Sequence, residues 1–265
     1  MKKLRDVFKE IENKGQTSGI STGFTLLDND LLSMRPGDLI VIGSRPGVGK
    51  TALGLNLFLN GVRNSNLPGY FYHLSETEGE TVSKMVGNHM HFNRNAKGHS
   101  IIDAKDFLND SPIYLSTEYR LKEIVNELRV EGKSHQIGIV VFDTFQSILD
   151  FNKNITTHDS ATFISKELKR LAKELNCIII LTSEMNSESE KRIYKSPRLD
   201  GLMNDGSLAD DASAVLLLYR DEIYNPETTK DRGVMEIIIA KNKRNNPSNI
   251  KIDCSLLDIC VLDNF

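Results

Sequence analysis

Four short runs, DLIVIG at 38–43, GYFYHLS at 69–75, IGIVVFD at 137–143 and CIIILTS at 177–183, are close to continuously apolar and recur along the chain. A strand with one wet face would alternate apolar and polar residues, so runs of this kind read as strands buried on both faces. Between them lie stretches whose apolar residues recur at helical spacing. TALGLNLFLNGV carries Leu53, Leu55, Phe58, Leu59 and Val62, and YRLKEIVNELRVE carries Leu121, Ile124, Val125 and Leu128. A helix is also expected from Glu78 to about Met90 and another over ATFISKELKRLAKEL, with PIYLS as a further short strand. Buried strands alternating with amphipathic helices imply an α/β fold, a mostly parallel central sheet with helices on both faces. SAVLLLYRD, GVMEIIIAK and SNIKIDCSLLDICVLD follow one another too closely for crossover helices, so they read as extra C-terminal strands and hairpins.

The length of 265 residues, 39% of them hydrophobic and 26% charged, suits one large domain with a sizeable core. Lys and Arg number 33 against 36 Asp and Glu, a net charge of −3, which excludes a whole-protein electrostatic footprint for nucleic acid. Any such contact has to come from local loops. No run reaches the apolar length of a membrane span, and MKKLRDVFKEIENK lacks the core of a secretion signal, so no membrane partner and a cytoplasmic protein are expected. Cys177, Cys254 and Cys260 are scattered and read as reduced, mostly buried thiols, and His89-x-His91 has no ligand pattern around it to make a metal site.

The strand DLIVIG runs into GSRPGVGKTALG and then into a helix, which is the context a phosphate-binding loop requires. The first glycine of the general G-x-x-x-x-G-K-[ST] pattern is replaced by Ser44, which leaves a plain glycine-rich turn as the rival reading. As a phosphate loop, the backbone N–H groups of Ser44, Arg45, Pro46-Gly47, Val48, Gly49, Lys50, Thr51 and Ala52 would wrap an ATP tail at a helix amino terminus, with the proline contributing shape only. Lys50 would reach the β- and γ-phosphates and the Thr51 hydroxyl would ligate Mg²⁺. Asp143 ends an apolar strand, placed either to hold the Mg²⁺ shell or simply to cap a helix. Glu76 follows another strand end and would take a proton from an attacking water, or else is a solvated acid at a helix start.

With these motifs in hand, the chain resembles the ATPase domain of the DnaB-type replicative DNA helicases, in the RecA-like branch of P-loop proteins. The resemblance rests on STGFTLLDNDL, RPGDLIVIGSRPGVGKTAL, HLSETEGE, IGIVVFDTFQ, LKRLAKELNCIIILTSEMN, DGSLADDA, LLLYRDEIY, EIIIAKNKRNNP and VLDNF, and so covers roughly residues 17–265. That family's loop reads small residue, Arg, Pro and then Gly-Lys-Thr, which makes Ser44-Arg45-Pro46 the family form. The resemblance implies ATP and Mg²⁺ as cofactors, with Lys50 and Thr51 on phosphate and metal, Glu76 as the acid that activates water and Asp143 as the second metal acid. It implies a homo-oligomeric, hexameric ring in which AKNKRNNP reaches a neighbour's site, with Lys241 or Arg244 as the cation there and Lys243 as an apparent insertion. A solvated basic turn is the plainer alternative for that segment. Residues 1–16, with Leu4, Val7, Phe8 and Ile11 on one stripe, are expected to be a linker helix that docks on an adjacent subunit or on its own domain, ahead of an ATPase domain over 17–265.

The implied activity is ATP-driven movement along single-stranded DNA with duplex unwinding. DNA contact is expected in DFNKNITTHDS and NSESEKRIYKSPRLDGLMNDGS, where Lys153, Lys191, Arg192, Lys195 and Arg198 supply charge and Gly206 a backbone donor. A primase or a helicase loader is the implied protein partner. Three departures bear on coupling: Glu184 stands where the family has Gln, Ser187 where it has Arg, and Met203 where it has a DNA-facing cation. The family's separate amino-terminal domain is absent, so the chain reads as either a fragment or a compact relative. The rival functions are a nucleotide-binding assembly or regulatory module that does not unwind, and a RecA-like switch ATPase acting on proteins or in recombination.

Overall fold

A computed structural model describes residues 3–5, 19–92, 100–151, 157–186, 195–202 and 207–257. Its strands are β1 (Leu39–Ser44), β2 (Gly69–His73), β3 (Ile113–Ser116), β4 (Ile139–Asp143), β5 (Ile178–Glu184), β6 (Ala214–Tyr219), β7 (Val234–Asn242) and β8 (Ser248–Asp253). They form an 8-stranded sheet in the order β3-β2-β4-β5-β1-β6-β7-β8. All pairings from β3 across to β6 are parallel, and β7 and β8 extend the sheet antiparallel. The α/β, mostly parallel architecture with a C-terminal antiparallel extension is the one expected, and it is RecA-like.

Alternate residues of each central strand feed two separate cores. Leu39 and Val41 of β1, Val140 and Phe142 of β4, and Ile179 and Leu181 of β5 pack on one face with α5 (Leu121–Ser134) and α7 (Thr157–Leu175). On the other face Ile40, Ile42, Ile139, Val141, Ile178 and Ile180 meet Leu53, Phe58 and Val62 of α2 (Lys50–Ser65). Coverage on both sides is why these strands carry no polar alternation. In β7 the burial alternates, Met235, Ile237 and Ile239 inside and their neighbours half-buried, as a strand with one packed face requires.

The remaining helices are α1 (Thr25–Leu31), α3 (Glu78–Phe92), α4 (Ile101–Asp110), α6 (Phe145–Phe151), α8 (Ser207–Asp211) and α9 (Asp221–Tyr224). Sequence periodicity does not reveal α1 or α4. The first is too short to show a period, and the second buries only Ala104, although its Ser100-x-x-Asp103 capping box is a readable start signal. The segment 150–160, expected as a loop, is largely taken up by the end of α6 and the start of α7, leaving only 152–156 between them. The β6–β7 ladder carries a bulge, Val215 pairing Lys241 while Leu216 pairs Ile239, so Ala240 is an extra residue just before the basic hairpin.

Within residues 1–16 only 3–5 are described, with Leu4 70% exposed; Val7, Phe8 and Ile11 lie outside the described residues. No helix among the described residues is long and apolar enough to cross a membrane.

Candidate functional site

Parallel strands bring their carboxyl ends to one edge of the sheet, where an open α/β fold places its ligand. Register fixes who meets whom there: Ser44 of β1 pairs with Glu184 of β5, and His73 of β2 pairs with Asp143 of β4. The glycine loop leaves β1 at this edge and enters α2 at Lys50. Its backbone turns through the left-handed region at Gly47 (φ 76°) and Gly49 (φ 123°), where a side chain would be strained. Ser44 is the last strand residue, fully buried, with its hydroxyl donating to the Arg45 carbonyl at 2.9 Å. It needs no left-handed backbone, which is the physical reason a serine serves where the general pattern has glycine.

Beside the loop lies a pocket of about 410 Å³ lined by Gly47 to Ala52, Glu76, Lys84, Arg220, Met235 and Cys254. A narrow recess below it is lined by Thr51, His73, Ser75, Glu76, Lys84 and Asp143, among others. The larger volume falls in the range of small-molecule sites. Lys50 is mostly buried, and its Nζ lies 3.7 Å from Glu184 Oε1. The Thr51 hydroxyl donates to Asp143 Oδ2 at 2.8 Å, and the Thr182 hydroxyl donates to the other carboxylate oxygen. Burial raises the Asp143 carboxyl above its ordinary 3.8, and nearby Glu76 pushes the same way. The two threonine hydroxyls and Lys50 pull it back. Among the described residues, Asp143 is thus a buried carboxyl group whose two oxygens are met by the Thr51 and Thr182 hydroxyls, an arrangement that a cation would complete. A hydroxyl, a carboxylate and substrate phosphates are the oxygen donors Mg²⁺ uses at such sites.

Glu76 is singled out from the acids of ETEGE by the helix that follows. Glu80 reaches back to Thr77, whose N–H and hydroxyl both donate to it at 2.8 Å, and Glu78 is exposed. Only Glu76 turns to the pocket, ion-paired with Lys84. Lys84 carries no sequence signal beyond its position on α3. Arg220, Met235 and Cys254 also line the pocket without having been assigned a part from sequence. Cys254 is half-buried there, unlike the fully buried Cys177, whose thiol burial pushes up to about 12; Cys260 lies outside the described residues. His89 packs on the Phe107 ring at 4.3 Å.

Gln146, three residues beyond Asp143, accepts from the Thr144 hydroxyl at 2.7 Å and from the Glu184 N–H at 3.2 Å, tying the ends of β4 and β5 together. Arg45 donates to the Met185 carbonyl at 2.9 Å, which links the glycine loop to the root of the segment that follows β5. That segment returns through a Met185–Leu202 bridge and an Asn186 N–H to Gly201 carbonyl bond of 2.9 Å. Lys195 and Arg198 sit on its returning side, Arg198 exposed. Lys153, Lys191, Arg192 and Gly206, with Ser187 and Met203, lie outside the described residues.

Lys241 and Arg244 do not join this pocket. β7 runs antiparallel, so the hairpin lies at the opposite edge of the sheet, where Arg244 pairs with both oxygens of Asp38 at 2.9 and 2.8 Å and donates to the Ser33 carbonyl at 3.1 Å. Lys241 donates to the Ala209 and Asp210 carbonyls, and Lys243 is exposed. Asp38 precedes β1 and Ser44 ends it, a strand length of roughly 20 Å at ~3.3 Å per residue.

The family model described as DnaB-like helicase C-terminal domain matches residues 19–255. The chain is 30% identical over 262 residues to the replicative DNA helicase DnaB of Haemophilus influenzae, covering 91% of this chain and 54% of that protein. It is 31% identical over 255 residues to the replicative DNA helicase DnaC of Bacillus subtilis, covering 91% and 56%. The chain therefore spans a little over half the length of the curated relatives it matches. Among solved structures, a DnaB-like replicative helicase described with its interactions with primase superposes at a TM-score of 0.78 with 25% identity, covering 94% of this chain and 62% of that one. A solved ATPase domain superposes at 0.83 with 24% identity, covering 98% and 97%, a likeness of fold.

Proposed function

Because the chain belongs to the DnaB-like helicase C-terminal domain family, we propose that it is the motor of a replicative DNA helicase. In this reading it hydrolyses Mg²⁺-ATP between subunits of a hexameric ring that moves along single-stranded DNA and separates the duplex. One observation carries it: Lys50, Thr51, Glu76 and Asp143, brought from three strand ends, line a pocket and a recess that share Thr51, Glu76 and Lys84.

The N–H groups of the loop and the amino end of α2 bind the phosphates, and Lys50 exchanges Glu184 for phosphate oxygen. Thr51 and Asp143 hold Mg²⁺, which neutralises charge on the phosphates when bound. Glu76 takes the proton of a water whose oxygen bonds to the γ-phosphorus as the bond to ADP breaks. Lys241 and Arg244 stand too far from this chain's own pocket to act there, which supports a role on a neighbour's nucleotide. Residues 1–16 are the linker that docks between subunits. Lys153, Lys191, Arg192, Lys195, Arg198 and Gly206 are assigned to DNA contact, and the Arg45–Met185 bond is the contact through which the phosphate loop reaches the segment after β5. We extend to this chain a primase or helicase loader as protein partner and a cytoplasmic location.

The test is ATP turnover with and without single-stranded DNA. Stimulation by DNA, and loss of about 10²-fold or more in Lys50→Ala, is expected. Turnover that survives Lys50→Ala, or that ignores DNA, contradicts the proposal.

A further inference from the structure

Of the charged groups lining the pocket, Lys84 is one that the reading above leaves without a part. It lies on α3 eight residues beyond Glu76, lines both the pocket and the recess beside Asp143, and pairs through Nζ with Glu76 Oε1. Both side chains are largely withdrawn from water, Lys84 19% and Glu76 24% exposed. The backbone around Glu76 is itself held: the Thr77–Glu80 cap fixes the helix start, and His73 Nδ1 lies 3.2 Å from the Glu76 carbonyl. What remains to be fixed is the carboxylate, and Lys84 engages one of its two oxygens.

We propose that Lys84 is a positioning residue for ATP hydrolysis, holding one carboxylate oxygen of Glu76 so that the other faces the attacking water. The proposal rests on Glu76 as the acid that activates water. Lys84 keeps its proton throughout: the water proton passes to the free Glu76 oxygen, the water oxygen bonds to the γ-phosphorus, and the electron pair of the broken bond leaves with ADP. A carboxylate released from this pairing could turn toward solvent or toward Lys50, and a misplacement of about 1 Å costs on the order of 10²-fold in rate.

The test measures kcat, KM and nucleotide affinity for Mg²⁺-ATP in the assembled protein carrying Lys84→Met, Lys84→Arg, Glu76→Gln, or Lys84→Met together with Glu76→Gln. Lys84→Met is expected to lower kcat by roughly 10- to 100-fold while KM and affinity stay within about threefold. Lys84→Arg restores most of the rate, and Lys84→Met adds no loss in the Glu76→Gln background. A rise in KM with kcat unchanged would make Lys84 a phosphate contact and overturn the proposal, as would a full additional loss in the double variant. Should Lys84→Met fail to melt cooperatively, Lys84→Gln decides in its place, and full turnover there also overturns it. Wild-type turnover in Glu76→Gln removes the assignment of Glu76 and this proposal with it. Loss in Glu76→Gln beside full turnover in Lys84→Met removes this proposal alone.

Discussion

Lys50 has a carboxylate beside it, since Glu184 Oε1 lies 3.7 Å away on a side chain 44% exposed. An anion there competes with phosphate for the same ammonium, weakly because the pair is open to water. Glu184→Gln is expected to tighten ATP binding by about two- to fivefold, more at low salt than at high; titration with a fluorescent nucleotide analogue reads it, and weaker binding would show that Glu184 assists the ligand. Asp143 makes a different prediction. Its carboxyl binds a proton more tightly folded than unfolded, chiefly through burial, so its contribution favours the fold below about its ordinary 3.8 and is lost as pH rises through the raised folded value. At neutral pH the nucleotide-free Asp143→Asn protein should therefore be the more stable, with a higher Tm than the wild type. The gap should close in acid, and the stabilisation by Mg²⁺-nucleotide should be lost. Equal melting temperatures at neutral pH would contradict the cost assigned to this carboxylate. The meeting of Lys50, Thr51 and Asp143 was legible because each is tied to a strand end and a fixed spacing. Lys84 and Gln146 were not, because neither position carries a spacing signal: Lys84 meets Glu76 only once the turn into α3 sets the two side chains together, and Gln146 meets the Glu184 N–H only once β4 and β5 lie side by side.

At the scale of elements, the strands and long helices were legible because burial on two faces leaves unbroken apolar runs and burial on one leaves a 3.6-residue stripe. Leu121, Ile124, Val125 and Leu128 are all buried in α5 as their spacing implies. In α2 burial extends around nearly the whole helix, with Phe58 fully enclosed against Phe71 at a ring distance of 5.3 Å. Phe58→Ala should cost about 3–5 kcal/mol, and denaturant unfolding measures it. A loss under about 1 kcal/mol would mean that α2 is not seated as described. The helix α4 escaped detection because, with Ala104 its only fully buried side chain, it offers no stripe. The hairpin after β7 shows the limit most clearly: its cations were visible in sequence, yet the bulge at Ala240 and the Arg244–Asp38 pair that aim and hold them depend on the strands beside it.

The whole molecule has two working edges. One gathers Ser44, Glu76, Asp143 and Glu184 at the carboxyl ends of the parallel strands; the other carries Lys241, Lys243 and Arg244. The pocket on one edge and the basic hairpin on the other suit the proposed ring, in which each subunit would complete its neighbour's site. ATP held by Lys50 is proposed to drive strand separation. Strand displacement on a forked DNA duplex with Mg²⁺-ATP, wild type beside Lys50→Ala, tests it most directly. The wild type is expected to release the displaced strand and Lys50→Ala to leave it paired. A wild-type protein that hydrolyses ATP on the fork while leaving the duplex intact would contradict it.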